Sequence, residues 1–489
     1  MSHEHDILQA LIEKTPSQLL IGGAWVDAES GATFEVINPA TGTVMCTVAE
    51  ASPADGVKAL DAAVAAQAEF AAMPPRKRAD ILMKAFELMY GRVEELATLM
   101  TAEMGKPLAE ARAEVTYAAE FFRHFAEEAV RIDGGYMTAP MGGSRLLQIK
   151  QPVGPCILIT PWNFPLAMGT RKIGPAIAAG CTSVVKPAHQ TPLTMLALCA
   201  ILQEAGLPAG VVNLVTTTDP GPVTEPLIRS GKARKVSFTG STRVGKILLE
   251  QCADKVLRTS MELGGNAPFL VFDDADLDEA VAGAMLAKMR NMGEACTSAN
   301  RIYVQEAVAD EFGRRLSEAM GALTVGDGLE AGSQVGPLID EAALDKVSEL
   351  VADAVGRGAT VLTGGSAPDG PGYFFTPTVL ANVPVDAALR TQEIFGPVAP
   401  ISTFATEAEA LELANATEFG LVAYVFTNDL RRALRMAEGI ESGMVGINQG
   451  LVSNPAAPFG GVKESGLGHE GGPTGIDEYL ELKFVNVVL

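Results

Sequence analysis

Two kinds of apolar pattern alternate along most of the chain. Short unbroken apolar runs, typical of strands buried on both faces of a sheet, occupy 156–160, 182–186, 211–215 and 235–238. The segments that separate them, such as 191–206 and 245–256, carry apolar residues at the spacing of a helix with one buried face. This alternation predicts right-handed crossover units and a parallel sheet.

A second series of the same kind begins after 261–265. It contains four predicted strands and two helices, and it again favours a parallel sheet covered by helices. We therefore predict an α/β protein with two doubly wound parallel-sheet domains. Open α/β sheets bind ligands beyond the carboxyl ends of their strands, so we expect the chemistry in the cleft between the domains. The strands are 267–272, 301–305, 423–427 and 444–448, and the helices lie around 276–292 and 308–320.

Two apolar segments belong to neither series. Residues 144–153 and 479–489 have the pattern of extended strands that lie outside the main sheets. Exposed apolar strands invite pairing with another chain. We therefore expect a homo-oligomer, either a dimer or a tetramer.

Composition narrows the class of protein. At 489 residues, 48% of them hydrophobic and 20% charged, the chain is an ordinary globular protein too long for one core. Its formal net charge of −22 argues against nucleic acid or an anionic membrane as a general partner. The first residues are acidic where a signal peptide is basic, and the apolar stretch 173–185 is too short to span a bilayer. These features predict a cytoplasmic protein.

The six cysteines form no C-x-x-C pair and have no histidine nearby at ligand spacing, which predicts free thiols and no metal site. Cys296 stands alone in MRNMGEACTSANRIYV (289–304), among small and polar residues just before a predicted strand. None of the five histidines has the context of a protease histidine, so a Cys–His hydrolase is not supported. A carboxylate near Cys296 would instead activate water against a thioester.

Two motifs follow predicted strands. TPWNFP (160–165) holds Asn163 between two prolines, where its amide could donate to a developing oxyanion. KVSFTGSTRVGK (235–246) places Gly240 in a turn before a helix, whose first amides suit a phosphate. Taken singly, the Gly240 motif is equally typical of an ordinary turn, and Asn163 is more typical of a residue that stabilises one.

Two charged residues also belong to short motifs. SVVKPAHQTP (183–192) ends a strand with Lys186, and SMELGGN (260–266) places Glu262 before a Gly-Gly turn at the domain junction. By themselves, a surface lysine and a solvated glutamate are the simpler interpretations.

Taken together, the motifs have a clear counterpart. Their set, in this order over nearly the whole chain, resembles the aldehyde dehydrogenase superfamily, and most closely its succinate-semialdehyde dehydrogenases. The motifs are PWNFP, KPAHQTP, FTGSTRVG, MELGGN, GEAC, EIFGP (393–397) and PFGGVKESGLGHEGG (458–472).

The resemblance implies three parts of a subunit and a mechanism. A Rossmann-like cofactor domain would comprise 1–131 and 151–261, a catalytic domain 262–445, and a small β oligomerisation arm 132–150 and 475–489. It further implies that a thiolate attacks the aldehyde, hydride passes to the nicotinamide, and water hydrolyses the resulting thioester. The implied catalytic residues are Cys296 as nucleophile, Asn163 with the Cys296 amide as oxyanion donors, and Glu262 as general base.

The resemblance also implies an NAD(P) site. Lys186 would bond the adenosine ribose, Ser241 the pyrophosphate and Glu393 the nicotinamide ribose. NAD-preferring relatives often carry a glutamate at the position of His189, so this residue favours NADP over NAD here. The implied cofactor residues are Trp162, Lys186, His189, Gly240, Ser241, Glu393 and Phe395.

Three further positions match a grip on the distal carboxylate of succinate semialdehyde: Arg171, Arg290 and Ser453. An arginine buried in an aldehyde pocket is costly unless it meets an anion. Glutarate semialdehyde or another ω-oxo acid stays open as the substrate, because one methylene changes binding by only about 1–3 kcal/mol. A cysteine-dependent hydrolase or acyltransferase without nicotinamide is the alternative from another class. Ser298 replaces a second cysteine of some relatives, so we expect no disulfide switch.

Overall fold

The computed structural model of the chain describes residues 3–488, and side chains from Ile7 onward. Helices flank two large sheets, and a three-stranded sheet and two two-stranded sheets complete the described residues. The helices are α1 His3–Lys14, α2 Pro53–Ala72, α3 Pro75–Tyr90, α4 Val93–Met104, α5 Leu108–Ala129, α6 Ala167–Ala179, α7 Pro192–Glu204, α8 Pro220–Arg229, α9 Thr242–Ala253, α10 Leu277–Met289, α11 Ala309–Gly321, α12 Glu341–Gly356, α13 Glu407–Asn415, α14 Leu430–Gly439 and α15 Gly472–Gly475.

The strands are β1 Leu19–Ile21, β2 Ala24–Val26, β3 Thr33–Asn38, β4 Thr43–Ala49, β5 Gly135–Thr138, β6 Ser144–Pro152, β7 Cys156–Ile159, β8 Ser183–Lys186, β9 Val212–Leu214, β10 Lys235–Thr239, β11 Arg258–Glu262, β12 Ala267–Val271, β13 Ala299–Gln305, β14 Thr360–Thr363, β15 Thr378–Ala381, β16 Val398–Phe404, β17 Phe419–Gly420, β18 Val422–Phe426, β19 Met444–Ile447, β20 Val462–Lys463, β21 Gly466–Leu467 and β22 Leu480–Val488. Single 3₁₀ turns occupy Arg290–Gly293, Glu306–Val308, Ala388–Arg390 and Asp477–Tyr479.

The first large sheet has eight strands in the order β2-β1-β9-β8-β7-β10-β11-β21. Its five central strands, β9, β8, β7, β10 and β11, are parallel, and every residue of β7, β8 and β10 is buried. The antiparallel strands β1 and β21 flank this parallel core. The prediction of a parallel sheet from this first series is confirmed, with antiparallel edges that were not predicted.

The second large sheet has seven strands in the order β14-β15-β16-β13-β12-β18-β19. Six of them are parallel, and β14 pairs antiparallel with β15 at one edge. The change from the first sheet to the second falls between β11 and β12, within 262–267, where the sequence placed it. The predicted class of two α/β units is confirmed.

The two segments outside the main series pair with each other. Strands β22 and β6 are antiparallel over nine residue pairs, and β5 completes a three-stranded sheet. Its side chains Leu482 and Phe484 are 62% and 61% exposed. The oligomer that this surface suggested stays a prediction.

Helices α5 and α6 pack closely beside the first sheet. A Cβ on Gly174 would lie 3.1 Å from the Phe125 ring, so glycine at this position allows the two helices to approach. Tyr117 of α5 and Arg171 of α6 are thereby brought to one cavity. No helix among residues 3–488 is both long and apolar enough to cross a membrane.

Candidate active site

A cavity of about 260 Å³ lies where the carboxyl ends of the two sheets face each other. The predicted site residues converge on it from segments far apart in the chain. Ten of the thirteen line it, and the other three, Glu262, Lys186 and His189, do not. The ten are Trp162, Asn163, Arg171, Gly240, Ser241, Arg290, Cys296, Glu393, Phe395 and Ser453.

Cys296 occupies a corner of a tight turn at this cavity. The Ser298 amide donates to Ala295 O at 2.9 Å and closes the turn, and the Tyr424 hydroxyl donates to Thr297 O at 2.8 Å. A Cβ on Gly265 would lie 2.3 Å from Cys296 O, so only glycine allows the neighbouring strand to approach this closely. The turn holds the thiol at the cavity wall.

Charged neighbours of both signs act on the pKa of the Cys296 thiol. Burial raises the pKa of the thiol to about 12, while the guanidinium groups of Arg171 and Arg290 lower it. The carboxylates Glu393 and Glu262 raise it further. A positive charge that binds beside the thiol would favour the thiolate, which is the nucleophilic form.

Asn163 reaches the nucleophile segment directly. Its Nδ2 donates to Glu294 O at 2.9 Å, two residues before Cys296. The backbone oxygen of Asn163 accepts hydrogen bonds from Lys106 Nζ at 2.8 Å and from Asn291 Nδ2 at 3.0 Å. Because Nδ2 has a second hydrogen, this amide can also donate to a developing oxyanion beside the thiol.

Lys106 and Glu114 support this loop, and no sequence motif indicated them. They form an ion pair in which both side chains are almost fully buried. Glu114 Oε1 accepts the Leu166 and Ala167 amides, at 3.0 and 3.1 Å, at the start of α6. A carboxylate at a helix N-terminus satisfies free amides and the helix dipole. The pair therefore fixes both the Asn163 loop and the helix that carries Arg171.

Glu262 ends β11 directly behind the cavity. It is 2% exposed, and neither carboxylate oxygen has a hydrogen-bond partner among the described residues. Burial raises the pKa of Glu262 well above its usual range, and Glu470 adds to the shift, while Arg171 and Lys172 oppose it. A carboxyl with a raised pKa accepts a proton readily near neutral pH, as a general base requires.

Arg171 is the most buried charged group of the cavity wall, with an exposure of 2%. Its Nε lies 3.1 Å from Glu470 Oε2, an ion-pair contact without hydrogen-bond geometry, and Nη2 donates to Met168 Sδ at 2.9 Å. Nη1 has no partner among the described residues. The guanidinium stacks 4.1 Å from the Phe459 ring centroid. Arg171 thus serves an internal ion pair and still offers a donor.

Arg290 lies across the same cavity with no carboxylate within 4.0 Å in the described part of the chain. Its guanidinium faces the Phe164 ring at 4.9 Å and the Tyr117 ring at 5.8 Å. Ser453 adds a hydroxyl to the wall. Two cations and a hydroxyl among aromatic rings form a place for one small anion.

The opposite end of the cavity carries the predicted cofactor residues. Ser241 is the N-cap of α9, where its Oγ accepts the Val244 amide at 3.4 Å. Glu393 Oε1 accepts the Gly265 amide at 3.1 Å, and burial raises its pKa to about 7. The Phe395 and Trp162 rings meet edge to face with centroids 5.3 Å apart.

Lys186 and His189 lie outside this cavity, at the end of β8. Lys186 is 7% exposed, and burial lowers its pKa to about 8. His189 is exposed at its surface, but partial desolvation of the ring and the nearby Lys186 lower its pKa, which favours the neutral imidazole. A neutral imidazole can donate a hydrogen bond but supplies no charge to a 2′-phosphate.

Several wall residues were missed by sequence reasoning. Tyr117, Met168 and Lys346 lie in α5, α6 and α12, where no sequence motif indicated a site, and Phe459 lies in a motif that was used for recognition alone. Among the described residues, no cluster of three or more His, Cys, Asp or Glu side chains is placed to hold a metal ion.

The chain belongs to the aldehyde dehydrogenase family, whose model matches residues 25–485. The succinate-semialdehyde dehydrogenase of Paenarthrobacter nicotinovorans is 59% identical over 91% of this chain and 99% of its own length. The glutarate-semialdehyde dehydrogenase of Pseudomonas putida is 51% identical over 96% of this chain and 97% of its own. The family inferred from the motifs is confirmed.

Solved structures agree with this placement. An NADP-dependent enzyme of Escherichia coli has a TM-score of 0.96 and 50% identity, covering 98% of this chain and 99% of its own. A betaine aldehyde dehydrogenase of Staphylococcus aureus in complex with NAD⁺ has a TM-score of 0.97 at 32% identity, covering 100% and 98%. The architecture described above is that of these enzymes.

Proposed function

We propose that the protein oxidises succinate semialdehyde to succinate with NADP⁺ or NAD⁺ through a thioester on Cys296. The observation that carries the proposal is the cavity in which a thiol, an amide donor and two arginines face one small volume. The identity of 59% to a succinate-semialdehyde dehydrogenase supports it.

The first step forms a carbon–sulfur bond. The Cys296 thiolate attacks the aldehyde carbon, and the carbonyl oxygen becomes an oxyanion. The second Nδ2 hydrogen of Asn163 and the Cys296 amide donate to that oxygen. Such preorganised donors contribute roughly 3–4 kcal/mol to acyl-transfer transition states. The tetrahedral adduct collapses to a thioester when hydride leaves.

The cofactor residues fit a dinucleotide. The N-terminus of α9 behind Gly240 and Ser241 presents free amides to a pyrophosphate, and the buried amine of Lys186 has no hydrogen-bond partner within the described chain. Phe395 and Trp162 offer an aromatic wall for a flat ring. When bound, the nicotinamide would accept the hydride. No reaction step beyond this is assigned to it.

Glu262 is the general base in the second half of the reaction, the hydrolysis of the thioester. Its carboxylate removes a proton from water, the hydroxyl oxygen attacks the thioester carbonyl, and the Cys296 thiolate leaves. Glu262 does not line the cavity, so its side chain must turn toward the thioester to do this. With neither oxygen hydrogen-bonded in the described chain, no hydrogen bond opposes that rotation.

The two arginines define the substrate class as an aldehyde with a distal anionic group. Nη1 of Arg171 and the guanidinium of Arg290 would bind the distal carboxylate, with Ser453 as a neutral donor. Curated relatives are named for succinate semialdehyde, glutarate semialdehyde and 3-sulfolactaldehyde. Oxidation of glutarate semialdehyde is therefore the second candidate.

A kinetic panel tests the proposal. Formation of reduced nicotinamide would be followed with succinate semialdehyde, glutarate semialdehyde and butanal, each with NADP⁺ and NAD⁺. We expect the highest kcat/KM for succinate semialdehyde and the lowest for butanal. Equal kcat/KM for butanal would remove the substrate assignment, and the absence of reduced nicotinamide with all three aldehydes would contradict the dehydrogenase.

We also infer that the chain forms a homodimer or homotetramer through the sheet of β5, β6 and β22. The exposed Leu482 and Phe484 on this sheet support the inference. The division into a cofactor domain (1–131 and 151–261), a catalytic domain (262–445) and an arm (132–150 and 475–489) is part of the same proposal. Light scattering tests it, because Phe484→Glu should lower the molar mass of the particle.

A further inference from the structure

A buried lysine lies behind the nucleophile turn. Lys288, in the last turn of α10, is 0% exposed, and no carboxylate lies within 4.0 Å of its Nζ in the described part of the chain. A buried cation without an ionic partner is expensive, because burial removes its hydration without an opposite charge in exchange. Burial lowers the pKa of Lys288 to about 7, which is the consequence of that cost.

Both hydrogen bonds of Lys288 go to the segment that carries the thiol. Its Nζ donates to Ser298 Oγ at 3.2 Å and to Asn300 Oδ1 at 2.9 Å. Ser298 closes the turn around Cys296, and Asn300 is the second residue of β13, which follows that turn. The amine therefore ties the end of α10 to the chain just beyond the nucleophile.

The opposite side of the turn is held by different groups. Asn163 and Asn291 both donate to Glu294 O at 2.9 Å, before the thiol, and Tyr424 holds Thr297 O. On the far side of Ser298, Lys288 is the side chain that reaches the turn from α10. Its removal would leave the hydrogen bonds to Glu294 O and Thr297 O in place but would delete the side-chain link from α10 to Ser298 and Asn300.

The same short segment also carries Arg290. Lys288 lies one residue before the end of α10, and Arg290 begins the 3₁₀ turn that follows. By bonding Ser298 and Asn300, Lys288 links the helix end from which Arg290 projects to the turn that carries Cys296. The distance between the Arg290 guanidinium and the Cys296 thiol therefore depends on the hydrogen bonds of Lys288.

We propose that Lys288 is a positioning residue that fixes the Cys296 turn relative to Arg290 through its hydrogen bonds to Ser298 and Asn300. The inference rests on the nucleophilic role of Cys296 proposed above. Its contribution should appear in the step that forms the thioester, because a displacement of about 1 Å in a reacting group can cost roughly 100-fold in rate. Substrate affinity should change little, because Arg290 itself is retained.

The test compares Lys288→Met with the wild-type enzyme in a rapid-mixing experiment. We expect the burst of reduced nicotinamide to slow about 10- to 100-fold, with KM for succinate semialdehyde changed by less than about threefold and no loss of thermal stability. Alkylation of Cys296 by iodoacetamide, followed by mass spectrometry, should also change in rate. Lys288→Gln, which retains an amide donor, should recover part of the burst rate.

Two further variants make the outcome decisive. Ser298→Ala should slow the burst less than Lys288→Met, and the double variant should be non-additive because both remove one link. Lys235→Met is the control for loss of a buried lysine away from the cavity: Lys235 is also fully buried and bonds the Ser260 hydroxyl, although it pairs with Glu478 as well, so the burst rate of this variant should be unchanged.

A wild-type burst rate in Lys288→Met would overturn the inference, as would a loss of rate that only follows a fall in melting temperature. If Lys288→Met does not fold, a wild-type burst in both Lys288→Gln and Ser298→Ala overturns it. These outcomes are distinct from failure of the proposed function, which would appear as turnover retained in Cys296→Ala.

Discussion

Replacing Arg290 with alanine gives the sharpest test of the substrate grip. Arg290 has no carboxylate within 4.0 Å in the described residues, so its removal leaves no buried acid without a partner. Arg171 is less suitable, because its loss would also remove one of the two cations that pair with the buried Glu470, the other being Lys172. A charge-assisted hydrogen bond to a carboxylate contributes roughly 1.5–3 kcal/mol. The expected loss in kcat/KM for succinate semialdehyde is therefore about 10- to 150-fold.

Butanal provides the matched substrate, since it lacks the distal carboxylate. We expect Arg290→Ala to lower its kcat/KM far less than that of succinate semialdehyde, because no charge-assisted bond is lost with this substrate and only the lowering of the Cys296 pKa by Arg290 is removed. Arg290→Lys should lie between wild type and alanine, because lysine retains the charge but not the two-pronged geometry. Arg112→Ala removes an exposed arginine paired with Glu94 and should affect neither substrate.

The reasoning would be refuted if Arg290→Ala slowed butanal as much as succinate semialdehyde. Arg290 would then support the Cys296 loop through its contacts with the Phe164 and Tyr117 rings. The substrate assignment would be reduced to an unspecified aldehyde. Combined loss of Arg171 and Arg290 should also be less than the product of the single losses, since both contact one anion. A double-variant cycle with succinate semialdehyde measures this coupling.

Three further predictions address the thiol and the cofactor. Cys296→Ala should abolish dehydrogenase turnover while the melting temperature is retained; near-normal turnover would reject the mechanism. His189→Glu should raise KM for NADP⁺ roughly tenfold or more by like-charge repulsion and leave NAD⁺ nearly unaffected; equal changes would show that residue 189 does not face the 2′ position. The pKa of Lys186 is lowered to about 8, so its amine loses its positive charge as pH rises through about 8, and KM for NADP⁺ should increase over that range. Lys186→Met should lose this dependence, and a profile unchanged by the substitution would contradict the role of Lys186.

The sequence predicted the elements whose pattern is local. Strand β7 is an unbroken buried run, and its end leads straight into the Asn163 loop, so motif and geometry coincide. The edge strand β21 has two residues and pairs with β11 across about 200 positions, so no periodicity could indicate it. Short strands of this kind exist because the rest of the fold brings their backbones together.

The site residues also divide into those that lie in local motifs and those that long-range contacts bring into place. Cys296, Asn163 and Glu262 lie in recognisable motifs, whereas Lys106 supports Asn163 from a distant part of the chain, between α4 and α5, where no motif indicated it. Its function depends on a long-range contact with a backbone oxygen, which leaves no local pattern. The orientation of Glu262 away from the cavity also depends on packing, and no motif could indicate it.

The central claim is an acyl thioester on Cys296. Glu262→Gln, mixed with succinate semialdehyde and NADP⁺, should release about one reduced nicotinamide per subunit and then stall, since the base for hydrolysis is absent. Acid quenching, digestion and mass spectrometry should then find a succinyl group on the peptide that contains Cys296. Reduced nicotinamide formed with no adduct at Cys296, or with the adduct on another residue, would contradict the mechanism.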